Sequence, residues 1–287
     1  MELYRAEQLP VLQNRVFRTE AEAKACAKGD VILVQDPCTG LVHNAAFRSD
    51  VVKYDSNYQN EQAVSTAFCF HLDEVTQIIE RHFHGLSIIE IGCGKAYFLE
   101  RLQQLGFAVT GIDPAYEGNN PRVLRRSFTC DLGVKAEVII LRHVLEHIQN
   151  PILFLEEMRE ANQGSGLIYI EVPFLDWIIQ HRAWFDIFYE HVNYFRLDDF
   201  KRIFAKVLEA GHLFGGQYLY VVADIASLRD PALISHAPIE FPSDFTGAIG
   251  NFAQRIRNSK VPAVVWGGAS KGVIFSLFMQ RAGAAIG

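Results

Sequence analysis

No uninterrupted apolar run in the 287 residues approaches the roughly 18 that a membrane span requires. The opening stretch, MELYRAEQLPVLQNR, has no apolar core of the kind that marks a signal peptide, so a cytoplasmic protein is expected. Cysteine is sparse: Cys26, Cys38, Cys69, Cys93 and Cys130 form no C-x-x-C pair, and none stands beside closely spaced histidines. No zinc site is expected, and the thiols read as reduced, small apolar groups. Basic clusters are missing as well. With a net charge of −6 and no concentration of Lys and Arg, nucleic acid is disfavoured as a partner and a small-molecule substrate is favoured. Two phosphate-binding patterns are absent. A dinucleotide fingerprint, G-x-G-x-x-G, needs a third glycine where Tyr97 stands, whose side chain blocks the approach of a pyrophosphate; the GGASKG stretch lacks P-loop spacing.

What the chain does contain is ordinary globular composition, 49% hydrophobic and 21% charged, enough for one large domain and a smaller one. Its centre is Ile88 to Leu99, IIEIGCGKAYFL, which predicts a strand, a glycine turn and a helix. The isoleucines favour a strand, Gly92 and Gly94 relax the steric limits of the turn, and Phe98, Leu99, Leu102 and Leu105 recur at helical spacing. Such a turn exposes bare backbone and aims helix N–H groups at a ligand. The pattern acidic-x-G-x-G-x-G is met by Glu90, Gly92, Gly94 and, with the last glycine replaced by the next smallest residue, Ala96. It resembles the S-adenosylmethionine site of class I methyltransferases. A second strand, Phe107 to Ile112, ends at Asp113, 23 residues after Glu90, where a carboxylate is placed to accept the ribose hydroxyls of an adenosine; a turn aspartate before Pro114 is the plain alternative.

Residues 1–50 predict a small strand-rich piece, PVLQNRVF, DVILVQD and GLVHNAAF, with a turn at Asp36 to Gly40, too small to be stable unless it packs on the rest of the chain. A polar stretch with Tyr54, Asp55, Tyr58, Asn60 and Gln62 comes next, either helix-capping or a lid over the cofactor. It leads into a helix with Leu72, Val75, Ile78, Ile79 and Phe83 on its buried stripe. A third strand is expected to end near Cys130-Asp131, with Asp131 either a partner for the adenine amino group or a loop residue. The fourth strand, Val138 to Leu141, runs into RHVLEHI, a cleft-facing helix start or plain surface polarity. His143 and His147 lie at i and i+4, yet Val144 stands where a zincin carries glutamate, so no metal site is predicted. After a fifth strand, Leu167 to Val172, eight aromatic residues crowd the 22 of FLDWIIQHRAWFDIFYEHVNYF. Asp176, Asp186, Glu190, His191 and Asn193 within it need partners if buried, and an aromatic wall with a Glu-His pair is how a pocket holding a general base reads. RLDDFKRIFAKV predicts a helix, Gly215-Gly216 a turn and QYLYVVADI a strand, closing a seven-stranded sheet. Val261 to Trp266 then predicts a further strand and GGASKG with VIFSLFMQRA a second glycine-turn-helix unit, so that either this piece packs back on the first domain or the chain is part of a longer protein, the reading favoured.

EIGCGKAYFLERL, GIDP, LRHVLEHIQNP, IEVP, FDIFYEHVNYF and VVWGGASKG together resemble the C-methyltransferases of nucleotide-linked 4-keto-deoxysugars. The resemblance implies an α/β class I methyltransferase fold, Rossmann-like with a seven-stranded, mostly parallel sheet, in residues 51–226. It also implies a zinc-type N-terminal piece in 1–50, of whose ligands Cys38 alone is kept, and the start of a C-terminal Rossmann-like domain in 227–287. It implies S-adenosylmethionine as cofactor, held by Glu90, Gly92, Gly94, Ala96, Asp113 and Asp131, and a nucleotide sugar as substrate, contacted by Tyr58, Tyr189, Asn193, Tyr194 and Lys271. His191 is implied as the base that forms an enolate, with Glu190 and His143 beside it; Phe188 stands where some members carry tyrosine. O-methylation of a small hydroxylated metabolite and a non-catalytic binding protein are the alternatives, and a nicotinamide-dependent oxidoreductase a distant third.

Overall fold

β-Branched runs bounded by glycine or proline become strands here wherever a neighbouring edge is present to pair with them. The computed structural model describes residues 2–53, 58, 63, 65–133 and 135–286. Its strands are β1 (Glu2–Pro10), β2 (Lys28–Gln35), β3 (Val42–Asn44), β4 (Ser87–Ile91), β5 (Ala108–Ile112), β6 (Val123–Leu124), β7 (Val138–Arg142), β8 (Leu167–Pro173), β9 (Asn193–Tyr194), β10 (Val207–Leu213) and β11 (Tyr218–Asp224). The helices are α1 (Glu20–Lys24), α2 (Thr66–Phe83), α3 (Tyr97–Gln104), α4 (Pro151–Ala161), α5 (Leu175–Gln180), α6 (Leu197–Ile203), α7 (Ala248–Asn258) and α8 (Lys271–Arg281).

Seven strands form one sheet in the order β10-β11-β8-β7-β4-β5-β6. Within it β11 alone runs against its neighbours, pairing antiparallel with both β8 and β10. The central pairs are parallel, with Ile88 opposite both Val109 and Val138, and these strands are apolar on both faces because helices cover both. The chain works outward from β4 through β6, then returns to β7 on the other side of β4. That reversal opens a crevice at the carboxyl ends of β4 and β7, the place where ligands bind in open α/β sheets.

A second sheet, antiparallel in the order β1-β2-β3-β9, is closed by two residues of the aromatic segment, Val42 pairing with Tyr194. One apolar core joins this sheet to the segment 175–194 and to the C-terminal helices. Leu9, Val31 and Leu33 share it with Trp184, Ile274 and Met279, and Trp184 stacks on Phe275 with ring centres 5.6 Å apart. The C-terminal unit thus packs back on the body of the protein.

Four sequence expectations shift. β1 precedes PVLQNRVF, because the alternation of buried Tyr4, Ala6 and Leu9 lies in the first ten residues. β6 is confined to Val123–Leu124: residues 125–130 are largely exposed at the sheet edge, and Cys130–Leu132 forms a short 3-10 turn. The helix at 197 ends at Ile203, and Val207, expected in the helix, begins β10; Ala205 and Lys206 donate their N–H groups to Ser227 instead. Val261 to Trp266 is not a strand. No edge pairs with it, and Val261, Val264 and Trp266 are exposed.

Candidate active site

The glycine turn after β4 alternates into the left-handed region, with φ of 72° at Gly92, 54° at Gly94 and 64° at Ala96. At Gly92 a side chain is excluded twice, by φ and by Val144, whose Cγ2 lies 2.5 Å from where a Cβ would stand. Asp113 fixes the turn from the end of β5: one carboxylate oxygen accepts the Gly94 N–H and the other the Ala115 N–H, each at 2.8 Å. Burial raises its pKa. In front of the turn lies a cavity of about 740 Å³. Glu90, 2% exposed, is among its lining residues; one of its carboxylate oxygens is buried with no hydrogen-bond partner among the described residues, and burial pushes its pKa up to about 7 although Arg142 stands 3.7 Å away.

Beneath the turn runs a buried ionic network. The Arg142 guanidinium lies 4.3 Å over the Phe98 ring and 4.0 Å from Glu171. Glu171, at the β8 end, accepts the Tyr169 hydroxyl at 2.8 Å and places its other oxygen 3.0 Å from His71 Nε2 and 2.9 Å from His143 Nε2. Burial alone would raise the Glu171 carboxyl, but Arg142, with His143 and His71, holds it well below the carboxylate range. His143, at φ 53°, also meets Glu146 at 3.3 Å. Burial would lower its pKa; the two carboxylates outweigh that and push it up to about 9, so this imidazole is cationic at neutral pH.

The opposite wall comes from the aromatic segment. Phe188 and His191 line it, with ring centres 4.8 Å apart, and the His147 ring lies 5.0 Å from His191. His191 Nδ1 is buried and has no hydrogen-bond partner among the described residues. Burial, reinforced by His147, His143 and Lys271, holds its pKa well below the usual value, so the ring is neutral. Asp186 pairs with Lys271 Nζ at 2.8 Å, bringing the amino end of α8 onto the same cavity.

Of the residues expected at the site, Glu90, Gly92, Gly94, His143, His191, Tyr58 and Lys271 meet around this cavity. Others stand behind it. Asp113 acts through Gly94 rather than lining the cavity, and Ala96 caps α3 with its methyl group fully buried. The Glu190 carboxylate accepts the Tyr58 hydroxyl at 2.8 Å. Tyr189 accepts the Arg48 N–H, Asn193 donates to the Ile148 carbonyl, and Tyr194 clamps the backbone of Phe188, so these three brace the wall because their polar tips are taken up by main chain. Asp131 is exposed in its 3-10 turn and away from the cavity. Of the expected lid, Tyr54, Asp55, Asn60 and Gln62 lie outside the described residues. Sequence reasoning passed over Asn14, which lines the cavity, and His71, which supports it. His71 had a signal: a lone imidazole on the apolar stripe of α2, between Phe68 and Leu72.

A family profile described as a methyltransferase domain matches residues 54–207, just over half of the chain. The chain belongs to that family. The chain is 29% identical over 103 residues to the ubiquinone biosynthesis O-methyltransferase of Ruegeria pomeroyi, covering 31% of this chain and 41% of that one. It is 26% identical over 133 residues to the C-methyltransferase NovU of Streptomyces niveus, covering 42% and 32%. The chain therefore spans less than half the length of these curated relatives. Among solved structures, the magnesium protoporphyrin IX methyltransferase of Synechocystis with bound S-adenosylmethionine aligns over 58% of this chain and 86% of that one, at 15% identity and a TM-score of 0.42. The fold is that of class I methyltransferases and the cofactor S-adenosylmethionine. The turn fits it: Gly92 and Gly94 leave bare backbone on the cavity, and Glu90 beside them has one buried carboxylate oxygen without a partner among the described residues.

Proposed function

We propose that this methyltransferase adds a methyl group to the carbon next to a ketone, on a nucleotide-linked keto-sugar, and that His191 removes the proton from that carbon. One observation supports the reading: a neutral imidazole, one ring nitrogen of which has no hydrogen-bond partner among the described residues, belongs to a residue that lines the same cavity as the glycine turn. Neutral imidazole is the proton-accepting form, and a positioned base of this kind contributes roughly 100- to 10,000-fold. His143, cationic and on the same cavity, favours the negative charge that gathers on the ketone oxygen as the enolate forms. S-adenosylmethionine bound at the turn supplies an electrophilic methyl group. Glu190 serves by holding Tyr58 at the rim. Ser270 and Lys271, at the amino end of α8, give the cavity the surface that phosphate oxygens favour.

Incubation with keto-sugar nucleotides in heavy water without S-adenosylmethionine tests this. Deuterium should enter the carbon beside the ketone, and His191→Asn should lose both exchange and turnover while still binding S-adenosylmethionine by calorimetry. Turnover that survives in His191→Asn overturns the assignment. The O-methyltransferase relatives favour a second reading, methylation of a hydroxyl with the same base. An O–CH3 product with no carbon exchange, seen by NMR, would select it, and failure to transfer radiolabelled methyl to any of a panel of keto-sugar nucleotides would remove the first.

A further inference from the structure

We propose that Glu146, His147 and His191 form a site for one divalent transition-metal ion of the zinc class in the wall of the cavity, and that an ion held there ties up the imidazole of His191. One ligand atom from each residue lies within 4.8 Å of the other two, and all three residues line the cavity. Two imidazoles and a carboxylate are a donor set for Zn²⁺, Co²⁺ or Fe²⁺. Tetrahedral bonds of about 2.1 Å bring ligand atoms to about 3.4 Å of one another, which modest side-chain rotation achieves from this spacing.

The surroundings are those of a metal centre. His147 Nδ1 lies 2.9 Å from the Glu190 carbonyl oxygen, to which it donates, and this places the lone pair on Nε2. The Val192 N–H donates to the Glu146 carbonyl at 2.7 Å, so two hydrogen bonds lock the turn that carries Glu146 and His147 against the segment that carries His191. Glu146 is 1% exposed, and neither of its carboxylate oxygens makes a hydrogen bond among the described residues; the His143 ring lies 3.3 Å from the first oxygen and leaves the second without a partner. The second oxygen of a buried carboxylate in that condition has room for a further cation. His191 Nδ1 is likewise buried and unpartnered. The neighbouring group of His71, His143 and Glu171 differs: there one carboxylate oxygen already sits at 3.0 and 2.9 Å from both imidazoles, so the space an ion would need between the three ligand atoms is closed.

The ion is not needed for enolate formation by His191; it opposes it, because a nitrogen that coordinates a metal has no lone pair for a proton. That consequence rests on His191 being the base, whereas the site itself does not. The test is titration of the whole protein with Co²⁺, read by its visible d–d absorption. One equivalent should bind with the intense bands of a low-coordinate ion and be displaced by Zn²⁺. Glu146→Gln and His147→Gln should each weaken binding by about 100-fold or more, and His71→Gln should leave it unchanged. Zn²⁺ should also stop deuterium exchange, reversibly with a chelator, without weakening S-adenosylmethionine binding. Absence of the bands in the wild type, or their survival in both Glu146→Gln and His147→Gln, overturns the site. If Co²⁺ binds as described but His191→Asn still turns over, the base assignment falls and the metal site stands; if His191→Asn is inactive and Co²⁺ does not bind, the reverse holds.

Discussion

On the glycine-turn side of the cavity, Glu90, Gly92 and Gly94 come from five consecutive residues at the end of one strand. On the facing side, Asn14, Tyr58, His191 and Lys271 come from four stretches spread from near one terminus to near the other. The first side depends on local backbone conformation and on one carboxylate, Asp113, that fixes it. The second depends on a core shared by β1–β3, the aromatic segment and α8, so that its chemistry is only as well placed as that core is intact. A local motif survives changes elsewhere; an assembled wall does not.

The largest expected effect belongs to the assembled side. His191→Asn should lower turnover by at least about 100-fold while S-adenosylmethionine affinity, read by calorimetry, stays within about twofold; a parallel loss of affinity would mean the two sides are not separable. Next is Trp184→Ala. Trp184 is 1% exposed between the aromatic segment and α8, and its removal should cost about 3–5 kcal/mol in denaturant unfolding. Amide exchange should accelerate in α8 and β9 more than in β4 and α3. Equal acceleration in both regions would show that the molecule opens as one unit.

Glu90→Gln tests the glycine-turn side. The Glu90 carboxyl is raised from its ordinary 4.5 to about 7, so below pH 4.5 it is protonated in both folded and unfolded chains and costs nothing. The cost grows between 4.5 and 7 and is constant above. At about 1.4 kcal/mol per pKa unit it reaches ~3 kcal/mol. Without cofactor, Glu90→Gln should therefore melt higher than the wild type at pH 8, on the order of 5–10 °C, and the gain should vanish as the pH falls towards 4.5. An equal gain at all pH values would contradict a burial-driven shift. The smallest effect is expected at Asp131, exposed and off the cavity: Asp131→Ala should leave S-adenosylmethionine affinity within about twofold.

This division tracks what could be read from the chain. The strand, turn and helix around Gly92 were legible because their signals, β-branching, glycine and helical periodicity, act over a few residues. Of the polar residues of the aromatic segment expected to need partners, Asp186 finds Lys271, Glu190 finds Tyr58 and Asn193 finds a carbonyl, while His191 Nδ1 finds none among the described residues. Which of them face the cavity was not legible, because Tyr189, Glu190 and Asn193 alternate with Phe188 and His191 in one short run that follows no helical or strand period. Val261 to Trp266 shows the same limit from the other direction. An apolar β-branched run has strand propensity, but it pairs only when a free edge reaches it.

The amino-acid sequence alone determined the seven-stranded sheet and its glycine turn, since both follow from local conformational preference and from the burial of apolar runs. The tertiary structure decided which side chains share the cavity. It set His191 beside His147 and Glu146, turned Glu190 away towards Tyr58, and joined the two ends of the chain into one core around Trp184. Those outcomes rest on contacts between distant segments, where the energy of a buried polar group depends on partners that no local pattern names.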